Sequence, residues 1–128
     1  MKVLLDTHIW LWYLLGAKNL ASKKRRILDR SDTVVWLSPI SVWETLVLAQ
    51  KKRIELRPNS IDWVREALSR YPVHEAPLNT EIAITSRELK LNYDDPADRF
   101  IAATAMIFEL TLMTDDRRLL DTRWLSTI

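Results

Sequence analysis

An acid-rich turn that leads directly into an apolar helix is the feature that most constrains the fold of this chain. The segment Asp95–Arg99 (DPADR) precedes the small, apolar run Phe100–Met106. Proline fits the first turn of a helix, and a helix of small apolar residues is typical of a buried position. The sequence therefore predicts carboxylates at the N-terminus of a buried helix. Helix packing does not need acids there, whereas a metal site does.

Three other segments predict the buried strands of a sheet. They are Lys2–Leu5, Thr33–Leu37 and Leu110–Thr114, each apolar or β-branched and each separated from the next by helical patterns. This alternation predicts an α/β fold with a mostly parallel sheet covered by helices on both faces. The 128 residues contain no linker or internal repeat, so we expect one domain spanning residues 1–128.

Four acids are expected to meet at one edge of this sheet. Asp6 follows the first strand, Glu44 lies early in the helix after the second, and Asp116 follows the third. Asp98 joins them if its helix starts at the same edge, where ligands of α/β sheets bind. Clustered carboxylates need a counter-charge, and oxygen ligands suit Mg²⁺ or Mn²⁺. Such a site can activate water for phosphodiester cleavage. Asp115 is a weaker candidate than Asp116 for the fourth carboxylate of this site.

Each of these acids also has a local structural explanation. Asp6 can cap a turn, and Glu44 can form a capping box with Ser41. Asp98 can be the third residue of a helix capped by Asp95, and Asp95 itself is predicted as the N-cap rather than as a ligand. The hypothesis therefore rests on the convergence of the four acids and not on any one of them.

Polar and basic residues next to these acids suit the same chemistry. Thr114 could orient a water or a metal, and three arginines could reach phosphates: Arg99, Arg117 and Arg118. Of these we select Arg99 and Arg117 as the predicted substrate-phosphate residues. The alternative for Arg99 is an ion pair with a neighbouring acid. For Arg117 and Arg118 it is plain surface charge.

Several other classes of protein are excluded by composition. The absence of cysteine excludes disulfides and thiolate chemistry, and suits a reducing cytoplasm. No apolar run reaches the length of a membrane span, and the single glycine, Gly16, excludes Gly-rich phosphate loops. A phosphatase with Asp6 as nucleophile would need a second acid where His8 stands. We interpret His8 as a hydrogen-bonded structural residue beside the site.

Four motifs in order resemble those of the PIN-domain ribonucleases, and most closely the VapC-type toxins of toxin–antitoxin pairs. They are LLDTHIWLW (Leu4–Trp12), SPISVWE (Ser38–Glu44), DPADRFIAATA (Asp95–Ala105) and LMTDDRRL (Leu112–Leu119). The resemblance covers nearly the whole chain. It implies a PIN-like three-layer α/β/α sandwich around a mainly parallel sheet of four to five strands.

The resemblance also implies a function. The expected activity is Mg²⁺- or Mn²⁺-dependent endoribonuclease cleavage, with a cognate antitoxin and a homodimer as the expected assemblies. The family's acids and polar residue carry over onto Asp6, Glu44, Asp98, Asp116 and Thr114. Trp10, Trp12 and Trp43 could serve interfaces, with core packing as the default. The alternatives are a non-catalytic PIN-fold binding module and a housekeeping RNA-processing nuclease.

Overall fold

The computed structural model describes residues 1–128. The fold is built around one parallel sheet. Its strands are β1 (Lys2–Leu5), β2 (Val34–Leu37), β3 (His74–Glu75) and β4 (Thr111–Met113). The strand order is β3-β2-β1-β4, and every neighbouring pair is parallel. The C-terminal tail extends the sheet beside β4, because the Ile128 N–H donates to the Leu112 carbonyl and the Leu112 N–H donates to the Ser126 carbonyl. The predicted sheet is confirmed.

Seven helices surround the sheet. They are α1 (Thr7–Leu15), α2 (Ser22–Asp29), α3 (Pro39–Gln50), α4 (Ser60–Arg70), α5 (Thr80–Glu88), α6 (Pro96–Ile107) and α7 (Arg117–Leu120). None of them has the length and apolar character that crossing a membrane requires.

Two cores lie on opposite faces of the sheet, as the alternation of side chains along β1 requires. Leu4 points into a core with residues of α5, α6 and α7. Val3 and Leu5 point into the other, which includes Trp10 of α1 and Val64 of α4. Since β1 is buried on both faces, its continuous apolar sequence is explained. The three-layer architecture is the predicted one.

The helix ends show which local predictions hold. Gly16 ends α1 with φ 63°, in the left-handed region that glycine tolerates. The Asp95 carboxylate accepts from the Asp98 N–H at 3.1 Å and caps α6, as predicted. Ser38 caps α3 through the Ile40 N–H, so the alternative explanation of Glu44 by a capping box with Ser41 does not hold. The first turn of α3 is already capped, which leaves Glu44 free for another contact.

Candidate active site

A cavity of about 340 Å³ lies at the edge of the sheet where the parallel strands end. It is lined by Asp6, His8, Trp12, Glu44, Asp95, Asp98, Asp115, Asp116 and Arg118. All four predicted acids are therefore brought together, although they come from four separate parts of the chain. The topology explains this convergence, since each acid follows a parallel strand or begins a helix at this edge.

Asp6 is held in a fixed orientation at the end of β1. Its Oδ2 accepts from the Thr114 hydroxyl at 2.7 Å, and its Oδ1 accepts from the Thr7 N–H at 2.8 Å. Burial raises the pKa of Asp6 above 3.8, while these two hydrogen bonds oppose the rise. Asp6 caps α1 and lines the cavity at once, so its local and functional explanations do not compete. Thr114 also accepts from the Asp116 N–H at 3.0 Å and so joins the two acids.

Glu44 reaches the cavity from the second turn of α3. Its carboxylate accepts from the buried Thr7 hydroxyl. That hydroxyl also lies 2.9 Å from the Ser41 hydroxyl. Because Thr7 has one proton to donate, Ser41 is the donor in the second contact. Burial, followed by the charge of Asp6 among other causes, raises the pKa of Glu44 above 4.5.

Asp98 shows the strongest effect of the shared cavity. It is only 8% exposed, at the start of α6. Burial, followed by the charges of Asp95 and Asp6, raises the pKa of Asp98 to about 7. The Asp98 carboxyl therefore changes protonation in the neutral range, which is characteristic of functional sites.

Arg118 supplies the positive charge of the cavity. Its guanidinium makes a two-pronged contact with Asp116, from Nε at 3.1 Å and from a terminal nitrogen at 2.8 Å. The same terminal nitrogen lies 3.7 Å from the Asp98 carboxylate. These hydrogen bonds hold the pKa of Asp116 below its usual value. The guanidinium also lies over the Tyr93 ring, 3.8 Å from its centroid. The prediction selected Arg117 rather than Arg118, and it is Arg118 that lines the cavity. The sequence gave no sign of the Tyr93 contact.

Arg99 lies outside the cavity, and the prediction that it contacts a phosphate is wrong. Its side chain is buried and donates to the carbonyls of Ser86, Leu89 and Leu91 at 3.0 to 3.2 Å. Its Nε lies 3.4 Å from an Asp94 carboxylate oxygen, which is the predicted alternative of an ion pair. Arg99 therefore fixes the end of α5 and the following loop against α6.

Two further basic residues, Arg117 and Lys24, do not line the cavity. Arg117 is exposed on α7 and does not line the cavity. Lys24, from the basic run on α2, donates to the Thr114 carbonyl and to Asp115, both at 2.6 Å. Asp115 is thereby paired at the rim, which agrees with its ranking below Asp116 as a ligand.

His8 does not make the structural hydrogen bond that we expected. Its exposed ring stacks at a tilt on Trp12, with 5.8 Å between the centroids. Trp12 also lines the cavity and is half-buried, whereas Trp10 is 2% exposed in the core. Trp43 is 57% exposed, so it is the one of the three tryptophans that is most available to a partner.

The donor set of the cavity fits a hard divalent cation. All its acidic groups offer carboxylate oxygens, the type that Mg²⁺ and Mn²⁺ prefer. Burial, with the charges of neighbouring acids as a smaller cause, raises the pKa of Asp6, Glu44 and Asp98. In the present arrangement no three acidic or histidine side chains are close enough together to enclose one ion. Arg118 is the cation that lies among the acids in this arrangement, 2.8 Å from Asp116 and 3.7 Å from Asp98.

Comparison with known proteins agrees with this architecture. The PIN-domain family model matches residues 3–125. Ribonuclease VapC22 of Mycobacterium tuberculosis is 30% identical over 118 residues, which cover 91% of this chain and 88% of the relative.

Solved structures show the same fold. VapBC2 of Rickettsia felis, bound to a promoter DNA fragment, superposes with a TM-score of 0.75 at 16% identity, covering 100% of this chain and 98% of the other. DNA-bound VapBC of Salmonella typhimurium gives 0.70 at 19% identity, covering 100% and 97%. The toxin–antitoxin complex of Klebsiella pneumoniae gives 0.67 at 23% identity, covering 98% and 95%. The chain belongs to the PIN-domain family, among its VapC-type members.

Proposed function

We propose that this protein is a Mg²⁺- or Mn²⁺-dependent endoribonuclease that acts as the toxin of a toxin–antitoxin pair. The observation that carries the proposal is the single cavity into which four separate chain segments bring carboxylates. The acids proposed as metal ligands are Asp6, Glu44, Asp98 and Asp116. A core-packing role does not account for this arrangement, because burying like charges together is unfavourable unless a cation offsets them.

The residues of the cavity have distinct proposed roles. A bound divalent cation would supply an activated water and stabilise the leaving oxygen of the phosphodiester. Thr114 holds Asp6 in one orientation through its 2.7 Å hydrogen bond, which favours a fixed ligand geometry. Arg118 offsets the charge of Asp98 and Asp116, and as the only arginine or lysine in the cavity wall it is the proposed contact for an RNA phosphate.

Cleavage of RNA by matched variants tests the proposal. We expect the wild type to cleave single-stranded RNA with Mg²⁺ or Mn²⁺ and to lose activity with EDTA. Asp6→Asn and Asp98→Asn should each reduce the rate by at least about a hundredfold. Asp32→Asn is the control, because Asp32 is an exposed acid just before β2, at the opposite edge of the sheet. Equal cleavage by the wild type and both cavity variants would contradict the nuclease proposal and favour a non-catalytic binding module.

The toxin role is supported by the relatives and has its own test. The 30% identical relative is named as a ribonuclease, and the similar structures include toxin–antitoxin complexes. We propose a cognate antitoxin protein as the partner and the cytoplasm as the place of action. Expression of the wild type should arrest growth, Asp98→Asn should not, and the antitoxin should restore growth. Normal growth with active wild-type enzyme would instead favour a housekeeping RNA-processing nuclease.

A homodimer is also proposed, with Trp43 as the residue that tests it. Trp43 exposes 57% of its surface on α3, beside Glu44. Large exposed aromatic side chains are enriched at protein interfaces. Light scattering should give a dimer for the wild type and a lower mass for Trp43→Ala. A monomeric wild type at high concentration would contradict the dimer.

A further inference from the structure

A second cavity adjoins the acid cavity and shares Arg118 with it. Its volume is about 410 Å³, and its wall includes Lys90, Asn92, Tyr93, Arg118 and Trp124. We propose that this groove, called here the aromatic groove, binds the unpaired base of an RNA nucleotide next to the scissile phosphate. The inference rests on the proposed nuclease function and adds to it a specific place for the substrate.

Arg118 forms the boundary between the two cavities and is held rigidly there. Asp116 binds its guanidinium through two nitrogens, and the Tyr93 ring covers one of its faces. Its side chain is nevertheless 55% exposed. A planar guanidinium that is already fixed loses little freedom when a base stacks on it, and RNA-binding proteins use both arginine and aromatic planes in this way.

Trp124 extends the stacking surface away from Arg118. Its backbone is fixed because the next residue, Leu125, is buried in the core and donates its N–H to the Thr122 carbonyl at 3.2 Å. The Trp124 side chain remains 41% exposed. A single exposed tryptophan needs no functional explanation. Its position in one groove with Tyr93 and Arg118 is what indicates a ligand.

The charges around the aromatic groove favour an RNA strand over other ligands. The acid cavity repels a phosphate backbone, so RNA needs attraction from the adjoining surface. Lys90 and Arg118 supply positive charge, which Asp121 in the same wall partly offsets. Asn92 is exposed and offers both a donor and an acceptor to the edge of a base. Aromatic stacking beside basic residues is the usual mode of binding single-stranded nucleic acid.

Binding of a labelled RNA in EDTA tests the aromatic groove separately from catalysis. The probe is a short fluorescent single-stranded RNA of mixed sequence, measured by anisotropy at low salt. Trp124→Leu keeps the apolar contacts of the buried part of the side chain and removes its aromatic plane. We expect its affinity to fall about 5- to 100-fold. Trp124→Phe should restore most of it. Arg118→Lys, which keeps the charge and loses the plane, should also weaken binding.

Tyr71→Leu is the matched control, because Tyr71 is 54% exposed at the end of α4, outside the groove. A change below about threefold in Trp124→Leu overturns the proposal, and so does an equal loss in Tyr71→Leu or a wild type that does not bind the probe. Trp124-dependent binding without any metal-dependent cleavage would support the groove and contradict the nuclease function. Metal-dependent cleavage together with RNA binding that does not depend on Trp124 would support the nuclease function and contradict the groove.

Discussion

Replacing Asp98 by asparagine should stabilise the metal-free protein while abolishing its response to metal. The Asp98 carboxyl is buried beside Asp95 and Asp6, and its pKa rises from 3.8 to about 7. At about 1.4 kcal/mol for each pKa unit, ionising Asp98 in the folded state costs about 4 kcal/mol more than in the unfolded chain. The Arg118 guanidinium, 3.7 Å from the Asp98 carboxylate, offsets part of this cost, so we expect Asp98→Asn to raise the free energy of unfolding by about 2–4 kcal/mol.

The sign of the effect follows from the raised pKa of Asp98. The folded protein keeps this proton up to about pH 7, whereas the unfolded chain releases it near pH 4. The stability that the wild type gains from a protonated Asp98 is therefore complete below about pH 4 and is lost as the pH rises to about 7. Asparagine does not ionise, so the variant avoids that loss. At about pH 8 without metal, its thermal midpoint should exceed that of the wild type by roughly 5–15 °C.

Urea unfolding in EDTA at about pH 5 and about pH 8 measures this difference directly. The advantage of Asp98→Asn should be larger at the higher pH, and Asp32→Asn should show no advantage at either. Added Mn²⁺ should stabilise the wild type, because binding to the folded state alone shifts the equilibrium, and should leave Asp98→Asn unchanged. A variant less stable than the wild type at about pH 8, or an advantage independent of pH, would show that ionised Asp98 does not destabilise the folded protein.

Three further substitutions test the structural roles assigned above. Arg99→Leu leaves three backbone carbonyls without their donor, so calorimetry should show a loss of roughly 3 kcal/mol or more in the free energy of unfolding. Thr114→Val removes the hydroxyl that orients Asp6, so titration calorimetry should show about 10- to 100-fold weaker Mn²⁺ binding. Lys24→Met breaks the contact with Asp115 at the rim and should cost about 1 kcal/mol in urea unfolding, with cleavage retained.

The sheet and the convergence of the acids follow from patterns that a sequence carries locally. The continuous apolar sequence before Asp6 predicts a strand that is buried on both faces. It also predicts that Asp6 lies at the edge of the sheet where this strand ends. The Pro96 start of α6 likewise fixes where Asp98 lies on its helix. Parallel topology then brings distant acids together, because the carboxyl ends of all the strands lie at the same edge of the sheet.

Contacts between distant side chains could not be derived in the same way. Arg117 and Arg118 are adjacent, and which of them lines the cavity depends on the rotation of α7 set by the buried Leu119. Arg99 stands beside a proposed ligand in sequence, yet its guanidinium is bound to the carbonyls that end α5. Lys24 pairs with Asp115 across a separation of 91 residues. Such pairings depend on tertiary packing rather than on local sequence pattern.

Anomalous diffraction from crystals soaked in Mn²⁺ locates the ion without reference to activity and so tests whether the acid cavity is a metal site. We expect a peak in the acid cavity within coordination distance, about 2.0–2.3 Å, of carboxylate oxygens from Asp6 and Asp98. The same soak of Asp98→Asn crystals should give a much weaker peak. A saturating soak that leaves the acid cavity without a peak, or that places the ion on other residues, would show that these acids do not form the metal site.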